Sequence, residues 1–355
     1  MKKSLLALAA LTAFAGAASA QSSVTLFGIV DAGVARISAG GKSVTGMTNS
    51  GYNSSRLGFR GVEDLGGGLR AEFWLEGQLF NDSGDGSSTG GSLDFRRRST
   101  VALAGGFGEI RLGRDYTPTF WNVTVYDPFG TNGIAQARTF NQLGTNANVS
   151  TGVRSNNAIS YFTPGNLGGF QAQVMYAFGE NVSGGSKANN YLGGRVGYAA
   201  GPLSVHVAYA KTEGGTTAAN NDALDYKLMN GGASFDLGVA KLSLVVAQEK
   251  NGAGLKIQHI EPGVMVPVGA GVIRAAYTHS DQKGGNDAWN GGDWNQISVG
   301  YLHNLSKRTV VYATYARIGN KGTQNKTVGN NGIGGVTASA GGNSSGVEFG
   351  VRHSF

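Results

Sequence analysis

The sequence predicts an all-β fold, an antiparallel transmembrane β-barrel of sixteen strands, on three observations. Apolar and polar residues alternate with period two along most of the chain, which is the pattern of a strand with one apolar and one polar face. Many alternating segments run about nine to eleven residues, enough to cross a bilayer at a tilt, where strands of globular sheets usually stop at about five or six. The connections between them alternate between short turns and long polar loops.

The chain opens on Lys2 and Lys3, a nearly unbroken apolar run over 5–18, and Ala18-Ser19-Ala20. This is the layout of a secretory signal peptide with cleavage near Ala20. Residues 1–20 are therefore expected to leave a single barrel domain, 21–355. The 355 residues include 60 glycines, 6 prolines and no cysteine, so neither disulfides nor thiolate metal sites contribute. The formal charge is +7; removing Lys2 and Lys3 takes 29 basic residues to 27 against 22 acidic, or +5. The basic residues are scattered except at Arg96-Arg97-Arg98. Past residue 20 no apolar stretch reaches 18 residues, so no transmembrane helix is expected.

Strands are predicted to begin near Ser23, Ser55, Gly68, Phe95, Phe107, Arg154, Gly169, Asn190, Pro202, Tyr226, Ala240, Lys256, Ala270, Trp294, Thr309 and Ser345. In the third, Leu69, Ala71, Phe73 and Leu75 share one face, and Arg70, Glu72, Trp74, Glu76 and Gln78 the other. In the seventh, Phe170, Ala172, Val174 and Tyr176 oppose Gln171, Gln173 and Met175. In the last, Val347, Phe349, Val351 and Phe355 oppose Glu348, Arg352 and Ser354. Short turns fall at 64–67, 105–106, 164–168, 200–201, 237–239 and 304–308, and long Gly-, Ser- and Asn-rich loops at 81–93, 115–153, 281–293 and 320–344.

A soluble sandwich shares the alternation but not the segment length or the unequal connections. Short turns at one rim and long loops at the other mark a bacterial outer-membrane barrel. An even number of strands lets the first and last meet. Closure is needed, because each unpaired backbone group in lipid costs several kcal/mol.

Specific residues add a resemblance. Val24-Thr25-Leu26-Phe27-Gly28, Ser55-Arg56-Leu57-Gly58-Phe59-Arg60-Gly61, Arg154-Ser155-Asn156-Asn157-Ala158-Ile159, Leu305-Ser306-Lys307-Arg308-Thr309 and Arg352-His353-Ser354-Phe355 occur in order. Together they resemble the general porins of Gram-negative bacteria, in particular the betaproteobacterial branch and its anion-selective members. The resemblance implies a homotrimer in the outer membrane, with short periplasmic turns, long extracellular loops and a third loop folded into the barrel. It also implies contact with membrane lipid and lipopolysaccharide, and Phe355 as the signal read by the outer-membrane insertion machinery.

The segment 115–153 suits the inserted loop. It is the longest without alternation, and Tyr116, Phe120, Trp121, Tyr126, Phe129 and Phe140 require a surface to pack on. Asp127-Pro128-Phe129-Gly130 lies where these porins carry a Pro-Glu-Phe-Gly stretch, with the acid on the other side of proline. Parity places Arg56, Arg60, Arg96, Arg98 and Arg154 on lumen faces and Arg97 outward. Arg56, Arg96, Arg98 and Arg154 stand near the beginnings of strands descending from the loop rim, so they share depth along one flank. Strands about 4.8 Å apart let their fields add. Asp31, Glu72 and Glu76 point inward nearby, and Asp127 is the candidate loop acid.

Enzymes are disfavoured. Gly342-Asn343-Ser344-Ser345-Gly346 fits a nucleophile motif but lacks its strand-turn-helix context. His206, His259, His279, His303 and His353 are dispersed without metal-ligand spacing. Neither a cofactor nor nucleic acid is expected. The reading is passive diffusion of small anionic and neutral solutes through a water-filled pore. The alternatives are a barrel enzyme of protease or lipase type, which needs Ser, His or Asp clustered at one rim, and a substrate-selective sugar porin, which needs a ladder of inward aromatics.

Overall fold

In the computed structural model, residues 23–86, 91–137, 152–180, 187–216, 219–221, 224–284, 291–329 and 333–355 are described. The expected signal peptide lies outside them, as do residues 138–151 of the long loop, Phe140 included. The strands are β1 (Ser23–Ala39), β2 (Lys42–Asn49), β3 (Arg56–Gly66), β4 (Leu69–Gln78), β5 (Arg98–Gly105), β6 (Gly108–Tyr116), β7 (Arg154–Phe162), β8 (Phe170–Ala177), β9 (Tyr191–Ala200) and β10 (Leu203–Thr212). After the two-residue pair β11 (Gly215–Thr216) and β12 (Ala219–Asn220) come β13 (Tyr226–Asp236), β14 (Lys241–Asn251), β15 (Lys256–Val268), β16 (Gly271–Lys283), β17 (Trp294–Asn304), β18 (Thr309–Asn320) and β19 (Asn343–Ser354). One helix of the described residues, α1 (Pro118–Tyr126), lies in the long loop.

Seventeen strands form one antiparallel sheet, and β1 pairs with β19 to close it. Strand β1 is 17 residues long, and its two halves have different neighbours. Residues 32–39 pair with β2 and residues 23–29 with β3. Strands β2 and β3 therefore succeed one another along a single stave, interrupted at 50–55, and the barrel has sixteen staves. Strand β2 is an addition to the sequence reading. Its Lys42-Ser43-Val44-Thr45 alternates weakly, and it is a strand because β1 supplies a partner. Phe355 extends the seam, exchanging two hydrogen bonds of 3.1 Å with Gly28.

The outward face is apolar, with Val101 55% and Phe349 62% exposed, as a lipid-facing surface requires. The inward face carries Ser160, Gln173, Gln296 and Thr314. Turn chemistry explains the short connections. Ser306 Oγ accepts from the N–H groups of Arg308 (3.1 Å) and Thr309 (3.0 Å) and closes the turn between β17 and β18. Between β3 and β4, Gly66 and Gly67 take φ of 84° and 61°, where other residues are strained.

Strand β6 runs through Tyr116 directly into the inserted loop. Thr117 caps α1, its Oγ1 accepting from Phe120 N–H at 3.3 Å, and Pro118 follows at the first turn, where its missing donor costs nothing. The helix lies inside the barrel against β9, β10, β13 and β14. Its seat depends on Gly232, where any Cβ would meet the Tyr126 ring.

Candidate pore constriction

Alternation and strand starts bring five arginines to one flank. Arg56 begins β3, Arg97 and Arg98 stand at the head of β5, Arg111 lies in β6 and Arg154 begins β7. With Trp74, Glu76 and Gln78 of β4 they line one side of a lumen cavity of about 870 Å³. The other side is the inserted loop, through Phe120, Trp121, Thr124, Val125, Thr131, Asn132 and Gln136.

The arginines are tied into a row. Glu76 Oε1 accepts from Arg97 Nε at 2.6 Å and Arg56 Nη1 at 3.3 Å, while Oε2 accepts from Trp74 Nε1 at 3.2 Å. Tyr116 OH accepts from Arg97 Nη2 (2.6 Å) and Arg154 Nη2 (2.7 Å), and its ring lies 4.3 Å beneath the Arg154 guanidinium. Asp115 Oδ2 joins a second group, 2.5 Å from Arg111 Nη1 and 3.6 Å from Arg98 Nε. Arg98 also stacks on Trp74 at 4.6 Å, and Arg111 on Phe162 at 4.2 Å. Flat stacking on a ring holds a guanidinium in place without neutralising it. Five guanidinium groups against the carboxylates of Glu76 and Asp115 leave three positive charges in excess on the cavity lining. Both carboxylates are buried, as is Arg97.

Several expected site residues lie elsewhere. Arg96 does not reach the cavity; its side chain is 56% exposed and bonds Asp94 at 2.5 Å. Strand β5 begins only at Arg98, and a bend at Arg97 breaks the parity, so Arg97 turns inward instead of outward, its N–H on the Glu76 carbonyl at 3.0 Å. Arg60 keeps its face but lies outside the cavity lining, over the rings of Phe27 (5.7 Å) and Trp74 (5.5 Å). Glu72 pairs with Arg70, near the β3–β4 turn. Asp31 points inward but is fully enclosed, accepting from Tyr52 N–H (2.8 Å), Asn53 N–H (2.6 Å) and Tyr312 OH (2.7 Å). It folds the 50–55 segment rather than facing solute.

Asp127 is a second correction of this kind. Its carboxylate accepts from the N–H groups of Phe129 (2.7 Å), Thr131 (2.7 Å) and Ala137 (3.0 Å) and is buried inside the loop. Burial pushes this carboxyl above its ordinary range, although the three amides pull the other way. An acid placed before proline thus organises the loop and offers nothing to the lumen.

The rest of the loop is stitched to the wall. Tyr126 OH meets Ser204 Oγ at 2.7 Å and His206 Nδ1 at 2.5 Å, and Asn122 Nδ2 donates to Asn230 Oδ1 at 2.8 Å. Arg274 Nη1 donates to the Pro128 carbonyl at 3.3 Å and covers the Phe129 ring at 4.4 Å. Ile134 N–H donates to Glu348, and Gln296 to the Ala135 carbonyl at 3.0 Å. Of the cavity charges, sequence reasoning missed Arg111 and Asp115. Arg111 was legible, since Ile110 and Leu112 beside it point outward. Among the described residues no group of three or more His, Cys, Asp or Glu converges as a metal site would.

A family model described as Gram-negative porin matches residues 7–323. "Outer membrane porin protein 32" of Delftia acidovorans is 44% identical over 365 residues, covering 100% of both chains. The solved structure of the "Anion-selective porin from Comamonas acidovorans" superposes with a TM-score of 0.84 at 41% identity, over 94% of this chain and 100% of that one. The trimer form of OmpT from Vibrio cholerae, 16% identical, shares the fold at a TM-score of 0.65 over 94% and 99%.

Proposed function

Because this chain belongs to the Gram-negative porin family, we propose that it is a general-diffusion channel of the outer membrane whose constriction favours small anions. One observation carries the selectivity: the cavity lining holds five arginines against two buried carboxylates, and the described residues of the loop side contribute no charge. Arginine stays charged at every working pH. Low-dielectric walls focus such a field to several kT, and about 1.4 kcal/mol already makes a tenfold preference. Arg56, Arg97, Arg98, Arg111 and Arg154 are the residues assigned to this role.

Transport of this kind needs no catalytic group, and the protein acts as a channel rather than an enzyme. Residues 1–20 act as the export signal and 21–355 as one barrel domain. Assembly is as a homotrimer in contact with lipid and lipopolysaccharide, with Phe355 presented to the insertion machinery.

The test is the reversal potential of the purified protein in a planar bilayer under a potassium chloride gradient. Chloride preference is expected at low salt and should fade as the screening length falls from about 10 Å at 0.1 M to about 3 Å at 1 M. Potassium preference at low salt would overturn the assignment.

A further inference from the structure

The loop side of the constriction poses a question that anion selectivity does not answer. Water fills a diffusion pore, yet α1 turns large apolar side chains toward it. Trp121 is 44% exposed and Val125 42% exposed. Most exposed large apolar residues of the chain sit on the outward barrel face, where hydrocarbon covers them. These two cannot be covered in that way, because α1 is inside the barrel and both line the lumen cavity. One turn apart, they form a short stripe on one helix face.

The charge distribution sharpens the point. The sequence over 115–153 contains only two acids, Asp115 and Asp127. The first is paired with Arg111 and Arg98, and the second is folded inside the loop. A solute in the cavity therefore meets guanidinium groups on one side and, among the described residues, an uncharged, partly aromatic surface on the other. Tyr116 stands between them. Its hydroxyl and ring hold Arg97 and Arg154, and its ring centre is 5.7 Å from that of Trp121.

Resting on the reading of this constriction as an anion eyelet, we propose that it is a transient binding site for monocyclic aromatic carboxylates. The carboxylate group engages the guanidinium groups that line the cavity, foremost Arg154, whose face lies on the Tyr116 ring. The aromatic body lies against Trp121 and Val125. Guanidinium forks match carboxylate geometry, and offset or edge-to-face ring contacts add affinity beyond the apolar area buried. Neutral aromatics lack the anionic anchor, and aromatic cations are repelled by the arginine flank. The cavity volume of about 870 Å³ falls within the roughly 300–1,000 Å³ of small-molecule sites.

The experiment titrates sodium acetate, cyclohexanecarboxylate or benzoate into chloride and reads block of the single-channel current of the full-length trimer. Benzoate is expected to half-block at about fivefold lower concentration than acetate, equivalent to about 1 kcal/mol at RT of about 0.59 kcal/mol, with cyclohexanecarboxylate between them. Trp121→Ser should reduce the benzoate advantage to less than about twofold. An anion-selective wild-type pore in which benzoate blocks no better than acetate or cyclohexanecarboxylate would overturn this inference and leave the proposed function standing. A cation-selective pore would overturn both. If Trp121→Ser does not assemble, Val125→Ser supplies the same comparison, and an undiminished benzoate advantage in the assembled variant would remove the stripe from the site.

Discussion

The two flanks of the lumen use the same side-chain chemistry to opposite ends. On the flank of β3 to β7, Arg56, Arg98, Arg111 and Arg154 line the open cavity, while Glu76, Asp115 and Arg97 are buried in its wall. On the flank of β10 to β19, Arg274, Glu348 and Gln296 are covered by the inserted loop and bind its backbone. A charge on the open flank acts on solute, and a charge on the covered flank acts on the loop. What decides between the roles is where the loop lies, because burial forces a polar group to find a protein partner.

The largest expected effect breaks the open flank. Replacing Arg56, Arg97 and Arg154 together with glutamine should abolish chloride preference and carry the reversal potential to zero or into the cation range. Retained chloride preference would show that the field comes from elsewhere. Next in size, Gly232→Val drives a branched side chain into the Tyr126 ring and should lift α1 from its seat. The expected result is a larger single-channel conductance and faster sugar entry in liposome swelling. An unchanged sugar cutoff would mean that the loop is held without this contact.

A smaller effect concerns pH. The folded Asp127 carboxyl is raised above its ordinary 3.8 by burial. Its contribution to holding the loop is therefore full below that ordinary value and is lost as pH rises through the raised one. Current noise from the loop should increase with pH across this window. In Asp127→Asn, which cannot titrate at this position, the dependence should weaken, with more noise at low pH because the amide nitrogen replaces one of two accepting oxygens and leaves unpaired either the Phe129 N–H or the N–H groups of Thr131 and Ala137. The smallest effect is a control. Arg96→Gln, on the exposed side chain paired with Asp94, should move the reversal potential by a small fraction of the triple substitution. A comparable shift would restore Arg96 to the passage.

Inside strands, sequence parity identified lumen residues well. Arg56, Arg98, Arg154, Trp74, Glu76 and Gln78 all stand on the cavity. The rule lapses one residue beyond a strand end, which is why Arg96 and Arg97 exchanged places. Asp31 and Asp127 illustrate a different limit. Their positions were foreseeable, but their roles depend on backbone N–H groups that no side-chain pattern reveals. Strand β2 depended on a neighbour, since its weakly alternating residues pair along the upper half of β1.

The sequence by itself determined the barrel, its strand count to within the split stave, the unequal rims and the basic flank. Each follows from a repeat of period two or from turn residues, and such local patterns survive without knowledge of what the chain touches. The tertiary structure alone decided which of two adjacent arginines turns to the cavity wall, which acids are withdrawn from it, and that the loop shows tryptophan and valine rather than carboxylate to the arginines. Those outcomes are set by contacts between segments as distant as Ile134 and Glu348, and by desolvation, which depends on what covers a group rather than on its neighbours in the chain.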